Sequence, residues 1–388
     1  MKTDNKGHGQ NYSACSSPSS LTPTEETTSN LLHELHLPFD LVVEILCRLP
    51  VKHLLQLRCV CKSWNSLIAG DSKFAEKHLR LSTSNHERHY LIRIPKFTKE
   101  LVVCNSPISS VFSSTSTTCV EQFTYFIGEI VIIGGASTCD GIICFRISNS
   151  LALLCNPSIR KYKILPPLTF LPQLFTLYTL VYDRFTNNYK IIAVSTHSTK
   201  IYVNIHTLGT DYWRRIPDFP APFLLPKLGI FMSDSVNWLA HADDAHALFV
   251  VSLDFRKDSY QKLSLPGFDV QSTTSSMTLG TLRGCLSFLY QRDKFSHIWI
   301  MKEHGNEKSW TKLLIVPHMK ECGFYGYSRA LYISKDDQVL MEFLKNGKCS
   351  LVVYDFINNT FKIPKFPNNI HGKMMTHEVY VESLISPF

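Results

Sequence analysis

A short motif recurs about every 50 residues between residues 101 and 364, and this repeat constrains the fold more than any other feature of the sequence. Each copy is an apolar strand, a polar turn and an aromatic residue that leads to proline. The five clear copies are Leu153–Pro166, Val203–Pro217, Val250–Pro266, Ile298–Pro317 and Leu351–Pro364, and a fainter copy ends at Phe112. The aromatic residues, which stand 50, 51, 47, 50 and 51 residues apart, are Phe112, Tyr162, Trp213, Tyr260, Trp310 and Phe361. Such a period is typical of a four-stranded propeller blade.

The length of the repeat region indicates how many blades it holds. Residues 82–388 comprise 388 − 81 = 307 residues, so we expect an all-β, propeller-like domain of about six blades. Each motif would form the outer hairpin of its blade, with its aromatic residue packed between blades. We expect the late strand Val379–Ile385 to pair beside the first strand near Tyr90–Ile94, which closes the ring and removes the open sheet edge. A β-sandwich that does not close is the alternative.

Residues 36–80 predict a compact all-α module of three helices. Pro38 suits the first position of a helix, and Pro50 ends that helix and begins the next. A third short helix is expected to end at Gly70. Of the 32 residues from Leu37 to Ile68, 19 are apolar, against 44% of the whole chain. Because three short helices cannot bury so much apolar surface among themselves, the excess favours a partner-binding face, with packing on the following domain as the alternative.

The first 33 residues predict a disordered tail. They are rich in Ser, Thr, Asn, Gly and Pro, and such a segment buries too little apolar surface to offset its ordering entropy. The tail lacks the apolar run of a signal peptide, and no stretch of the chain is long enough to suggest a membrane span. The 12 cysteines are irregularly spaced, and several stand in apolar strings. We therefore expect a protein of the cytoplasm or nucleus without a membrane partner.

Charge and motif spacing argue against several kinds of site. The 40 Lys and Arg residues outnumber the 32 Asp and Glu residues but are scattered, so nucleic-acid binding is not expected. No Cys-x-x-Cys pair occurs, which excludes zinc-finger and RING-type sites. The densest group of possible metal ligands, His241–His246, is expected to be a solvated loop. The run Gly134–Cys139 lacks the final glycine of a nucleophile elbow. We predict neither a catalytic site nor a metal or other cofactor.

The helical module resembles an F-box motif. The matching positions are Leu37-Pro38, Ile45-Leu46, Leu49-Pro50 and Arg58-x-Val60-Cys61-Lys62-x-Trp64. The match is dense over about 40 residues. The resemblance implies an F-box at residues 34–81, between the tail of residues 1–33 and the repeat domain of residues 82–388.

The repeat domain resembles the F-box-associated domain of the large plant F-box families, including those labelled F-box/kelch-repeat and S-locus F-box-like. The residues that carry this resemblance are Cys139–Cys144, Asn156–Lys161, Tyr182-Asp183 and Tyr380–Leu384. True kelch blades carry a Gly-Gly pair in each unit, whereas this chain has one pair, Gly134-Gly135. "Kelch" therefore describes the period of the repeat, and kelch functions such as actin binding are not expected.

The resemblance implies a substrate-receptor role in an SCF-type cullin–RING ubiquitin ligase. The F-box would dock on a SKP-family adaptor, and through it on the cullin and RING subunits, while residues 82–388 capture a target protein. Other subunits would transfer ubiquitin, so this chain is expected to be non-catalytic. Its contribution would be to hold the target near the transfer machinery.

Thirteen F-box residues are the candidate adaptor contacts. They are Leu37, Pro38, Leu41, Ile45, Leu46, Pro50, Val51, Leu54, Leu57, Val60, Cys61, Trp64 and Leu67. Some of them must instead hold the three helices together, and the sequence does not divide the two groups. Candidate target-recognition edges are the segments that link strand runs, namely Asp218–Leu228, His241–His246 and Val270–Thr278.

Three alternatives stay open at this point. The first is an F-box protein that acts outside the ligase as a scaffold or inhibitor. The second is a propeller that binds a glycan or small ligand, which includes the recognition of ribonucleases suggested by the S-locus-like resemblance. The third is an enzyme in the C-terminal domain.

Overall fold

The computed structural model of the protein describes residues 37–95, 100–113, 121–126, 134–168, 175–197, 200–242, 248–266, 277–319, 327–345, 348–366 and 375–388. The chain divides into two compact units, residues 1–45 and residues 46–388. The predicted disordered tail, residues 1–33, lies outside the described residues. The predicted boundary between residues 81 and 82 falls inside a helix and stays a prediction.

Four α-helices precede the first strand in the part of the chain that the structure describes. They are α1 (Phe39–Leu46), α2 (Val51–Leu57), α3 (Lys62–Gly70) and α4 (Ser72–Ser84). Pro38 and Pro50 stand just before α1 and α2, and their carbonyl groups accept the first backbone hydrogen bonds of these helices. The three predicted helices are present, although the first ends at Leu46 rather than just before Pro50.

Helix α4 was not predicted. Its buried residues are Phe74, Ala75, His78 and Ser82, which lie along one face, and the Asp71 carboxylate caps it by accepting the Phe74 backbone N–H at 3.0 Å. The sequence pattern concealed this helix because only one large apolar residue, Phe74, marks its buried face.

Six antiparallel sheets follow, which we call blades 1 to 6. Blade 1 consists of β1 (His89–Pro95), β2 (Glu100–Pro107), β3 (Glu121–Phe126) and the last strand, β25 (Met375–Val381). Blade 2 consists of β4 (Gly134–Cys139), β5 (Ile142–Arg146), β6 (Ala152–Asn156) and β7 (Lys161–Ile164). Blade 3 consists of β8 (Phe175–Asp183), β9 (Asn188–His197), β10 (Lys200–Thr207) and β11 (Trp213–Arg215).

The remaining blades continue the same order. Blade 4 has β12 (Phe223–Leu224) and β13 (Ile230–Met232) along one edge of β14 (Ser235–His241), followed by β15 (Leu248–Asp254) and β16 (Ser259–Ser264). Blade 5 consists of β17 (Met277–Leu282), β18 (Cys285–Arg292), β19 (Phe295–Met301) and β20 (Trp310–Pro317). Blade 6 consists of β21 (Tyr327–Ile333), β22 (Gln338–Lys345), β23 (Lys348–Asp355) and β24 (Thr360–Lys362).

The six blades form a closed ring around a central cavity of about 760 Å³. The inner strands β25, β4, β8, β13, β17 and β21 contact one another in that order. Strand β1 pairs with β2 on one side and with β25 on the other, where Tyr90 stands opposite Tyr380. The predicted six-bladed propeller and its closure by the last strand are confirmed, although this strand ends at Val381 rather than Ile385.

The predicted outer hairpins are the third and fourth strands of blades 2 to 6. Three of the aromatic residues bridge neighbouring blades by donating a hydrogen bond to a backbone carbonyl about one repeat earlier. These bonds run from Trp213 Nε1 to Pro166 (2.9 Å), from the Tyr260 hydroxyl to Pro217 (3.0 Å) and from Trp310 Nε1 to Ser264 (3.1 Å). Phe112 is the exception, because it ends a short helix, α5 (Ile108–Phe112), between β2 and β3.

The direction of the chain defines two faces of the ring. Strand β1 begins at His89, directly after the helices, and β25 ends at Val381 beside it, so we call this the helix-side face. In blades 2 to 6 the turns between the first and second strands and between the third and fourth strands lie on this face. One of them is Asp140-Gly141, where Gly141 has a φ of +81° and an added Cβ would stand 2.3 Å from Ser383 Oγ. The opposite face, where β1 ends, we call the far face.

Candidate functional site

The described part of the first unit, residues 37–45, leaves four large apolar side chains exposed within nine residues. Leu37 and Phe39 are each 50% exposed, Leu41 is 49% exposed and Ile45 is 53% exposed. Exposed apolar side chains at this density indicate a partner surface. Three of the four were among the predicted contacts, as was Pro38, which is exposed. Phe39 was missed, although its apolar side chain next to Pro38 was a signal available in the sequence.

The nine predicted contacts in the second unit differ in burial. Leu46, Val51 and Leu54 are at most 1% exposed, so they pack inside this unit and present no surface to a partner. Val60 is 61% exposed, and Cys61 is exposed as well. The half-buried members of the set are Pro50, Leu57, Trp64 and Leu67. Burial therefore separates the members of the set that pack inside the unit from those exposed to a partner, which the sequence alone could not do.

Polar contacts fix the connection between α2 and α3, which carries Val60. The Arg58 guanidinium donates from Nε to Asn65 Oδ1 at 2.9 Å and so ties the end of α2 to α3. Cys61 precedes the first residue of α3, and its Sγ lies 3.1 Å from Ser63 Oγ. The hydrogen bond with the Ser63 hydroxyl lowers the pKa of the Cys61 thiol. The exposed Val60 side chain thus stands on an ordered turn.

A buried polar cluster joins α2 and α4 to the first and last strands of the propeller. The Arg88 guanidinium lies 3.7 Å from the Glu382 carboxylate, and both side chains are 7% exposed. Glu382 Oε2 accepts the Val51 backbone N–H at 3.2 Å, at the start of α2. Arg88 also donates to Ser82 Oγ in α4 at 2.9 Å and to the Arg48 carbonyl. Since each ion reaches several partners, the desolvation of both charges is offset.

His78 completes this cluster from α4. Its Nε2 lies 2.9 Å from the Leu49 carbonyl and 3.4 Å from an Arg88 nitrogen. Burial, together with the nearby Arg88 charge, lowers the pKa of His78 to about 4, so the imidazole is neutral near pH 7. The sequence offered no signal for this cluster, because Glu382 stands 382 − 88 = 294 residues after Arg88 and 331 residues after Val51.

Three residues that carried the family resemblance, Asp140, Asn156 and Ser383, lie close together beside this buried cluster. Asn156 Nδ2 donates to the carbonyls of Ser383 (3.1 Å) and Ile385 (2.8 Å), and Ser383 Oγ donates to the Asp140 carbonyl at 2.7 Å. The Tyr189 hydroxyl donates to Asp140 Oδ2 at 3.1 Å. These contacts tie the segment after β25 to blades 2 and 3, so these residues have a structural role.

The candidate target-recognition segments share one face. Asp218–Leu228 links β11 to blade 4, His241 ends β14, and Thr278 lies near the start of β17. All three positions lie at far-face ends of strands. Parts of the other two segments, residues 243–247 and 270–276, lie outside the described residues. The ring therefore carries α2 and α4 on one face, and the described ends of these candidate segments lie on the other.

Charged groups near the central cavity are paired with one another. Arg329 donates to Glu378 Oε1 at 2.8 Å and to the His377 carbonyl at 2.5 Å, which links blades 6 and 1. The His377 ring lies 2.9 Å from Glu342 Oε2. Burial raises the pKa of Glu378, against the effect of the adjacent Arg329 charge. The contacts of Arg329 reinforce the closure of the ring between blades 6 and 1.

The described residues also bear on the other kinds of site. Within the described ranges, no group of three or more His, Cys, Asp and Glu side chains is placed to hold a metal ion. None of the helices in the described part of the chain is long and apolar enough to cross a membrane. Exposed aromatic side chains stand on several blades, at Tyr162, Phe185, Phe223 and Phe295.

Taken together, the helices and the ring define a class of protein, a six-bladed propeller that carries a helical partner-binding module. Two family models match the chain: the F-box domain over residues 35–75 and the F-box associated beta propeller domain over residues 80–387. The chain belongs to the family of F-box proteins with an F-box associated β-propeller domain. In general, an F-box is a module that binds SKP-type adaptors.

Relatives of this family in Arabidopsis thaliana match most of the chain. An F-box/kelch-repeat protein is 30% identical over 381 residues, which cover 94% of this chain and 99% of that protein. The F-box protein CPR1 is 25% identical over 375 residues, 87% of each chain. F-box/WD-40 repeat-containing protein 1 is 29% identical over 301 residues, 72% of this chain and 68% of that protein.

Proposed function

We propose that the protein is a substrate-receptor subunit of an SCF-type cullin–RING ubiquitin ligase. In this proposal residues 34–81 dock on a SKP-family adaptor, which brings the cullin and RING subunits, and residues 82–388 recruit a target protein in the cytoplasm or nucleus. The observation that carries the proposal is the exposure of large apolar side chains in a segment that matches the F-box family.

The adaptor contacts are the exposed members of the predicted set. They are Leu37, Pro38, Leu41, Ile45, Val60 and Cys61, to which we add Phe39. The half-buried residues Pro50, Leu57, Trp64 and Leu67 would contribute at the edges of these contacts. The buried residues Leu46, Val51 and Leu54 act indirectly, by keeping the helices folded. Large apolar anchors of this kind supply most of the binding energy in protein interfaces.

The buried cluster around Arg88 supports a fixed attachment of α2 and α4 to the propeller. A receptor with such an attachment holds its target in one orientation, which raises the effective concentration of the target lysine at the transfer site. We assign target capture to the far face, because the helices attach at the other one. The chain itself performs no catalytic step in this proposal.

Pull-down of a purified SKP-family adaptor and cullin by the full-length protein tests the proposal. The test variant is Ile45→Asp, which places a charge in an apolar contact without disturbing a buried residue. The matched control is Phe185→Asp, since Phe185 is 74% exposed on blade 3 of the propeller. Unfolding temperatures of all three proteins establish that each is folded.

Wild type and Phe185→Asp are expected to retain both subunits. Ile45→Asp should weaken adaptor binding at least about tenfold, the loss expected for an interface anchor. A folded wild-type protein that binds no adaptor would overturn the proposal. Binding of adaptor without cullin would instead favour a scaffold that acts outside the ligase.

A further inference from the structure

Two arginines in the described part of the chain are buried, and both lie at or near β1. Arg88 is 6% exposed and Arg93 is 7% exposed. Arg88 has the Glu382 carboxylate at 3.7 Å and donates to Ser82 Oγ and the Arg48 carbonyl. A buried guanidinium is stable with partners of this kind, because it cannot lose its charge near neutral pH.

Arg93 has no such partners. Within the described residues its guanidinium makes no hydrogen bond or ion pair, and Nε is buried without an acceptor. Its flat face lies over the Phe366 ring, with the guanidinium carbon 3.8 Å from the ring centroid. Desolvation by this burial lowers the pKa of Arg93. The stacking contact stabilises the cation but satisfies none of its five N–H donors.

Two acidic groups of blades 1 and 6, Glu342 and Glu378, are engaged by other residues. Arg93 stands opposite His377 in the pairing of β1 with β25, and the His377 ring meets Glu342 at 2.9 Å. Glu378, the next residue of β25, accepts from Arg329 at 2.8 Å. These two carboxylates therefore contact His377 and Arg329, and within the described residues no carboxylate pairs with Arg93.

The position of Arg93 points to the far face of the ring. Strand β1 runs from the helix-side face to the far face, and Arg93 lies two residues before its end at Pro95. A planar guanidinium stacked on an aromatic ring keeps its N–H edge available for two parallel hydrogen bonds to an oxyanion. Carboxylates and phosphates share this geometry.

We propose that Arg93 is an anion-binding subsite of the far face, which accepts a carboxylate or phosphate group of the captured target protein. The source of the anion rests on the proposed receptor function, whereas anion binding itself does not. Arg93 lies between blades 1 and 6, so this subsite would bind a charged group of the target in addition to any contacts that the loops make.

Titration of the purified full-length protein with inorganic phosphate, and separately with acetate, tests the subsite. Unfolding temperature and ³¹P line width in the phosphate series are the readouts, with KCl at matched ionic strength as the reference. The test variant is Arg93→Met. The matched control is Arg146→Met, because Arg146 ends β5 on the far face and lies 4.3 Å over the Phe175 ring but donates to the Thr176 carbonyl.

Wild type and Arg146→Met are expected to bind at least one of the two anions beyond the KCl reference, and Arg93→Met should bind it at least tenfold more weakly. A response to phosphate alone assigns the subsite to a phosphorylated target, and a response to acetate alone assigns it to an acidic one. Equal responses of Arg93→Met and wild type, or no response to either anion, overturn the inference. Adaptor binding by Arg93→Met is measured in parallel, so loss of the anion site is separated from failure of the receptor function.

Discussion

Arg88 and Arg93 are two arginines with nearly the same burial, five residues apart, whose surroundings differ completely. Arg88, at the helix-side face, has a carboxylate, a hydroxyl and a backbone carbonyl around it. Arg93, close to the far face, has the ring of Phe366 and no acceptor among the described residues. The surroundings of Arg88 are those of a structural residue, whereas those of Arg93 fit a residue that binds a ligand.

The difference between Arg88 and Arg93 fits the two roles proposed for the two faces of the ring, attachment of the helices and capture of a target. On the helix-side face, polar contacts among Arg88, Glu382 and Val51 are completed within the chain, so this face is held rigid. On the far face, Arg93 has no anion partner among the described residues, and the role proposed for it is to bind an anion of a target. Propeller architecture permits this division because each blade exposes one end of its strands to each face.

The largest effect is expected from breaking the Arg88 pair. Glu382→Gln leaves Arg88 buried without an anion, which should lower the free energy of unfolding by about 3–5 kcal/mol. Urea denaturation measures the loss. Asp258→Asn is the matched control, since it breaks an ion pair with Arg214 whose side chains are 47% and 29% exposed, and it should cost about 1 kcal/mol or less. Equal losses in the two variants would contradict a structural role for the buried pair.

The next effect is a pH dependence of the free energy of unfolding, which arises from His78 in the buried cluster around Arg88. The folded pKa of His78, about 4, lies below its ordinary value of 6.5, so the unfolded chain takes up this proton first as the pH falls. His78 therefore favours folding fully above pH 6.5, and this contribution decreases by about 3 kcal/mol as the pH falls to 4. Urea denaturation across this range measures the slope. His78→Gln should reduce the slope of the free energy of unfolding against pH by the equivalent of about one proton. An unchanged slope would show that His78 does not cause this pH dependence.

The smallest effect is expected from Arg93. Replacement by Met removes a buried cation and leaves no partner unsatisfied, so the free energy of unfolding without added anion should change by about 1 kcal/mol or less. Chemical denaturation in a buffer free of phosphate and carboxylate checks this. A loss as large as that of Glu382→Gln would mean that Arg93 holds the ring together, as Arg88 holds the helices.

Much of the ring could be predicted from local pattern. The spacing of Tyr162, Trp213, Tyr260 and Trp310 follows the blade length, and the sequence predicts the observed pairing of the strand at Tyr380 with the strand at Tyr90. Both inferences depend on periodicity and on the cost of an open sheet edge, which act in every blade alike. Phe112 departed from the pattern because a short helix follows β2 in blade 1.

The candidate adaptor contacts could be predicted only as a set. Leu54 and Val60 are equally apolar in the sequence, yet Leu54 is 0% exposed and Val60 is 61% exposed. Their difference arises from how α2 and α3 pack within the second unit, and no local signal encodes it. Helix α4 was missed for a related reason, since its burial depends on contacts made by polar residues such as His78 and Ser82.

The sequence by itself determined the family, the number of blades and the strand that closes the ring, because these follow from repeated short-range patterns. The completed fold is needed to see which F-box residues are exposed, that Glu382 lies beside Arg88, and that Arg93 has no anion partner among the described residues. The physical reason is the range of the interactions. Hydrophobic periodicity acts over a few residues, whereas the partner of a buried charge is set by whichever group the completed fold brings beside it.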